Sequence, residues 1–298
     1  MNTSFSFKYK SIKGRLLAAF FINLFIISFF KPEVLSQDAW EQFKGDHFIV
    51  YYVSEFKEFA RQVLREAEKN YKSLADYLGY ARYSNFWTWD NRVKIYIYPD
   101  RLSYLKATNQ PKWSAGVARY LSKEIISFAW SDNFMEFLLP HEMAHLMFRD
   151  FVGFKGEVPL WLDEGVAQWA EVKRRDFIMS SIGDYIKSGK VMPLEYMMTI
   201  DLSAIRASAS TAVTYNSGQG QTETEIKGKE LIDLYYLQAA SIVGFLIERY
   251  GPDRFTDFCR GLRDAKTLVE ALRSAYPNSV SDLDDLQDKW LRYVSGRR

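Results

Sequence analysis

The chain has 298 residues, with 39 basic against 37 acidic side chains, one cysteine and three histidines. At 48% apolar and 26% charged residues it has an ordinary globular composition and the length for a substantial core, which excludes wholesale disorder, collagen and a multi-span membrane protein. The single cysteine, Cys259, excludes an internal disulfide, a zinc ribbon and an iron–sulfur cluster.

The N-terminal segment is a different kind of sequence. Lys8, Lys10, Lys13 and Arg15 precede Leu16–Phe30, a run of 15 uncharged residues, and Lys31-Pro32 then leads to Val34-Leu35-Ser36. A basic stretch, an apolar stretch and a small-residue exit predict a secretory signal peptide over residues 1–36, with an uncleaved N-terminal anchor as the alternative. The apolar run is shorter than the roughly 18 residues of a spanning helix. This segment holds five basic residues and one acid, so residues 37–298 carry a net charge of −2 against +2 for the whole chain. No basic run with interleaved aromatics remains there, and a nucleic-acid partner is not expected. Residues 37–298 are expected to form one exported domain, periplasmic or extracellular, that meets a membrane only through an uncleaved N-terminus. Oligomeric state is left open.

In chain order, Asp46–Tyr52 reads as a strand rich in β-branched and aromatic residues. Ser54–Tyr77 has helical spacing at Phe56, Phe59, Val63, Ala67, Tyr71, Leu74 and Tyr77. Val93–Tyr98 alternates strictly and ends at Pro99-Asp100. Ala115–Tyr120 and Glu124–Trp130 are extended segments expected to form a hairpin at a sheet edge, where strand addition can hold an extended peptide. From Asn133 the pattern is helical almost to the end. Strands first and helices after predict an α+β fold, a small N-terminal mixed sheet with helices packed on a mainly helical C-terminal half. Residues 203–230 are rich in Ser, Thr, Gly, Gln and charge and are expected to be a flexible insertion.

The chemistry begins at His141-Glu142-Met143-Ala144-His145. On a helix, positions i and i+4 share a face, so two imidazoles converge on one metal while the residue after the first histidine points toward a metal-bound water. Phe134, Phe137 and Phe148 fall on the same stripe, and Pro140 requires the helix to kink or to start anew. After eighteen intervening residues comes Glu164, in a second apolar helix expected to pack antiparallel to the first. Two nitrogens and one oxygen would leave a fourth position open, as a catalytic zinc requires. Glu171, seven residues on and on the same face as Glu164, is placed to orient a ligand histidine from behind. His47, in the first strand, reads as structural.

HExxH followed by W-L-x-E-G-x-A-x-x-x-E resembles the gluzincin metallopeptidases, the group of thermolysin and the zinc aminopeptidases, and within it the bacterial peptidase MA-like domain family, over most of residues 40–295. The resemblance implies one Zn2+ per chain on His141, His145 and Glu164, Glu142 as general base, and a peptide or protein substrate. It also implies a tyrosine on a later helix that stabilises the oxyanion; in Leu231–Gly251 Tyr236 fits that place, with Tyr235 as its competitor. Two features depart from the pattern. The Gly-x-Met-Glu-Asn stretch of zinc aminopeptidases is absent, which favours an endopeptidase over an aminopeptidase. Gln168 stands where thermolysin-like enzymes have an aspartate supporting a histidine, so that support must come from elsewhere, with Glu171 as the candidate. A non-catalytic extracytoplasmic binding module that keeps the fold is the alternative from another class. Cleavage after Ser36 predicts a mature N-terminus at Gln37, checked by N-terminal sequencing of the expressed protein; intact residues 1–36 in a membrane fraction would show an anchor instead.

Overall fold

Alternation of apolar side chains builds the sheet. In the computed structural model, which describes residues 40–80, 87–130, 133–202, 205, 212–216 and 223–297, strands β1 (Glu41–Lys44), β2 (Phe48–Tyr52), β3 (Val93–Tyr98), β4 (Gly116–Arg119) and β5 (Glu124–Phe128) form one sheet in the order β1-β2-β3-β5-β4. The three central strands run parallel, and β1 and β4 close the edges antiparallel. The fold class is therefore α+β with a mixed sheet, and the expected hairpin is β4–β5, with β4 as an edge strand. The expected signal, residues 1–36, lies outside the described residues.

One face of the sheet buries Phe48, Val50, Val93, Ile95 and Ile97 in the main core, with helix α1 (Lys57–Tyr77) contributing Ala60, Val63, Ala67 and Leu74. The other face holds a smaller cluster in which helix α2 (Arg101–Thr108) lays Tyr104 against Phe128, while Tyr51 stacks on Tyr96 at 4.7 Å. His47 is structural. Its Nδ1 lies 2.7 Å from Glu68, its main-chain N–H donates to the same carboxylate, and its ring stacks on Tyr71 at 3.7 Å.

The helical half begins with a π-helical turn, Phe134–Leu138, that runs directly into α3 (Leu139–Val152). Pro140 sits in the first turn of α3, where its missing N–H removes no bond the helix needs. The π-helical turn gives way to the α-helix at Leu139, so α3 starts anew just before Pro140. Phe134 and Phe148 are buried as expected, whereas Phe137 is half-buried and faces a cleft. Helices α4 (Leu160–Ala170), α5 (Arg175–Lys187) and α6 (Leu194–Met197) follow.

Residues 203–230 contain regular structure. Ala212–Asn216 (β6) and Glu223–Lys227 (β7) pair antiparallel, and α7 (Gly228–Tyr250) starts inside the span; the rest of it lies outside the described residues, save Leu202's near neighbour Ile205, which is buried. The β-branched residues of AVTYN and ETEIK suit a ladder once a partner strand is adjacent. Helix α7 is long and apolar enough to cross a membrane by length and composition, and 72% of its most apolar window is buried inside the fold. It is the helix on which the C-terminal half is assembled, with α8 (Pro252–Arg263), α9 (Leu268–Ala275) and α10 (Leu283–Gly296) after it. Its buried Gln238 holds both main-chain groups of Met192, and Ser241 accepts from Trp290 Nε1.

Helices α4 and α7 cross at near backbone contact. A Cβ on Gly165 would lie 2.6 Å from the Ala239 carbonyl oxygen and 2.8 Å from Val243. A carbonyl in a helix cannot yield, so alanine there forces the helices apart. Gly165→Ala is expected to destabilise by about 1–3 kcal/mol despite its better helix propensity. Gly183→Ala in α5, with open space around it, is expected to stabilise by up to about 1 kcal/mol. Thermal unfolding of the two variants beside wild type checks both signs, and an unchanged Tm for Gly165→Ala would refute the close-packing account.

Candidate metal centre

The pairing of α3 with α4 sets the site. His141 sits opposite Glu171, and His145 and Arg149 sit opposite Asp163, so the residue numbers rise along one helix as they fall along the other. The helices are antiparallel, and Met143, Leu146, Leu162 and Val166 from the same two helices lie in the main core. His141 Nδ1 lies 2.9 Å from Glu171 Oε1, and His145 Nδ1 lies 2.8 Å from Asp163 Oδ1. A carboxylate is an acceptor, so each Nδ1 carries a proton, and in the neutral form of each ring Nε2 keeps its lone pair.

Those two lone pairs point at each other. His141 Nε2 and His145 Nε2 are 3.2 Å apart, close to the roughly 3.3 Å that two nitrogens at ~2.05 Å from a tetrahedral metal would have. Two bare lone pairs at that distance do not attract, and either a proton on one nitrogen or a metal ion between them resolves the contact. Glu164 Oε2 lies 4.0 Å from His141 Nε2 and 3.9 Å from His145 Nε2. All ligating atoms fall within 4.8 Å of one another, and His141, His145 and Glu164 could therefore hold a metal ion. The donor set fits, with the carboxylate roughly 0.6 Å further out than tetrahedral bonding would place it.

The surroundings tune these groups. Burial works against a charged His145 ring, but the Asp163 carboxylate bonded to it, with Glu164 and Glu142 nearby, outweighs burial and pushes its pKa up to about 9. A proton thus competes for the nitrogen a metal would take. Burial disfavours the Asp163 charge too, yet His145 and Arg149 outweigh it and hold this carboxyl below the usual range. Arg149 grips Asp163 Oδ2 through Nε at 2.8 Å and Nη2 at 2.6 Å. Glu142 is 8% exposed; burial raises its pKa, opposed by the two histidines and, least, by the Ala118 main chain beside it. Edge strand β4 therefore touches the candidate base directly. Gly116 permits this approach, since a Cβ there would lie 2.7 Å from Leu138.

Asp163 and Arg149 were not singled out in the sequence, although each had a signal: Asp163 directly precedes the candidate ligand, and Arg149 lies one turn beyond His145. Asp163 supplies the histidine support that Gln168 does not, while Glu171 serves the other histidine. Tyr120, at the end of β4, packs 6.0 Å from Phe154 beneath the Arg149 guanidinium, and burial together with Asp163 raises its hydroxyl pKa. The two later tyrosines differ sharply. Tyr235 is fully buried, its hydroxyl has no hydrogen-bond partner among the described residues, and burial followed by the Glu164 charge raises its pKa; Tyr236 is half-buried at the border of the core. Beside the metal cluster lies a cleft of about 510 Å3 bounded by Gly116, Trp113, Trp130, Phe137 and Arg174.

No protein-family model and no curated protein sequence matches the chain.

Asp163→Asn keeps the shape but reverses the demand on His145 Nδ1 and releases Arg149. Affinity for the metal is expected to fall by about 10- to 100-fold with helical content unchanged. Competition against a chelator of known affinity, with circular dichroism as the folding control, measures it; unchanged affinity would remove Asp163 from the centre.

Proposed function

We propose that the chain is an exported, zinc-dependent metallopeptidase of the gluzincin type, acting as an endopeptidase. The observation that carries the reading is the convergence of two imidazole lone pairs and one carboxylate, each imidazole held from behind by a carboxylate, with a further buried carboxylate beside them. Zinc suits two nitrogens and one oxygen, and when bound it lowers the pKa of water and polarises a carbonyl. Glu142, its pKa raised by burial, takes a proton from the attacking water and returns it to the leaving amine. The free edge of β4 aligns an extended peptide by strand pairing beside that carboxylate. Tyr236, which keeps an accessible surface where Tyr235 has none, is the hydroxyl suited to meet the oxyanion.

Five variants test the reading. His141→Ala and Glu164→Ala are expected to lose stoichiometric zinc, whereas Glu142→Gln keeps zinc and loses peptide hydrolysis. Tyr236→Phe should keep zinc and KM and lose about 10²-fold in kcat. Tyr235→Phe, which deletes an unpaired buried hydroxyl, should leave kcat intact and stability equal or higher. Metal analysis with hydrolysis of unblocked and N-blocked peptides reads all of these. Zinc bound by a wild type that hydrolyses nothing would identify a binding module instead, and cleavage confined to free amino termini would identify an aminopeptidase.

A further inference from the structure

The cleft beside the metal cluster ends at a cation. Arg174 is the one lysine or arginine among the described residues that line it. Its Nη1 donates to Glu171 Oε2 at 2.8 Å, and its guanidinium carbon lies 5.8 Å from the centre of the Phe137 ring. The ring and the carboxylate hold the fork in place with the side chain 40% exposed. A guanidinium carries five N–H donors. One of them is taken by Glu171, and no other acceptor is bonded to Arg174 among the described residues. The Glu171 carboxylate is shared, its Oε2 with Arg174 and its Oε1 with His141. Lys173, the neighbouring cation, is turned away to Glu136 and does not share the role.

Arg174 shares the lining of this trough with Trp113, Trp130 and Phe137. An apolar wall lowers the local dielectric and strengthens any charge pair formed against it. A planar fork with free parallel donors matches a carboxylate in two-point contact better than it matches a single carbonyl. Glu171 also links Arg174 to His141, so the fork stands at a fixed separation from the metal ligands. A group it binds is therefore registered against the bond to be cleaved.

We propose that Arg174 makes this cleft a carboxylate-reading subsite, so that the preferred substrates are peptides carrying a carboxylate close to the scissile bond. The inference rests on the peptidase reading of the site. The carboxylate has two sources, an Asp or Glu side chain or the C-terminus of the peptide, and both present the same planar pair of oxygens.

The test uses full-length zinc-loaded protein and one cleavable peptide in three forms: with a free C-terminal carboxylate, with a C-terminal amide, and with the amide plus Gln exchanged for Glu at each position flanking the cleaved bond. The expected result is a kcat/KM about tenfold or more higher for a carboxylate form than for the amide, expressed in KM. The form that gains identifies the source. Arg174→Met should bring the ratio between carboxylate and amide peptides to near one, and Arg174→Lys should keep part of it. The ratio is the readout because loss of the bond to Glu171 acts on all peptides alike. Equal kcat/KM for the three forms with wild type, or an unchanged ratio in Arg174→Met, overturns the subsite. Binding of the same peptides to the Glu142→Gln protein, followed by tryptophan fluorescence, separates this inference from the reading beneath it. Tighter binding of a carboxylate form that depends on Arg174, without cleavage by wild type, would refute the peptidase and uphold the subsite; binding that ignores the carboxylate would refute the subsite.

Discussion

A carboxylate behind each imidazole is the interaction on which the rest of this site depends. Two histidines in the interior, left alone, would point whichever nitrogen their packing favoured. With Glu171 on one Nδ1 and Asp163 on the other, both rings present a lone pair to the same point. Such buried carboxylates are costly unless they are paired on both sides. Here they are: Arg149 completes Asp163 and Arg174 completes Glu171. Two parallel chains of hydrogen bonds therefore lace α3 to α4, each running from arginine to carboxylate to imidazole. The same chains that position the ligands hold the two helices in register.

Close approach is the second requirement. Gly165, the residue after Glu164, lets α4 lie against the carbonyl of Ala239 in α7, and Gly244 makes room for the Trp169 indole. On the other side Gly116 lets β4 approach the start of α3, where the Ala118 main chain reaches Glu142. The site is thus pressed between a helix crossing and a sheet edge, and no loop is needed to assemble its ligands. Ligands carried on packed helices hold their geometry better than ligands on loops.

Much of this was legible in the residues. Alternation in Val93–Tyr98 and the helical spacing of Ser54–Tyr77 set out β3 and α1, because burial of one face is the force that orders both. The α+β order followed from strands preceding helices. The spacing from His141 to His145 puts two ring nitrogens on one helix face, and the apolar segment around Glu164 reads as a second helix. Polar composition hid the pairing of Ala212–Asn216 with Glu223–Lys227, since a ladder between two polar strands leaves no hydrophobic signature.

What the sequence by itself determined is what depends on neighbours within a few residues: the helix that carries both histidines, the strands, and the apolar faces that pack. What only the tertiary structure decided is which distant groups meet. Asp163 and Glu171 are both acidic residues near the same helix, and nothing local says which histidine each will hold. The antiparallel crossing decides it, sending Asp163 to His145 and Glu171 to His141. Local periodicity likewise cannot separate Tyr235 from Tyr236, which sit 100° apart around one helix; packing against α4 buries the first and leaves the second at the border of the core. Arg149 and Arg174 were two of many arginines until the fold gave each a carboxylate to complete. Side chains are chosen by local forces along the chain, but a hydrogen bond between residues 30 apart exists only once the chain has been folded around it.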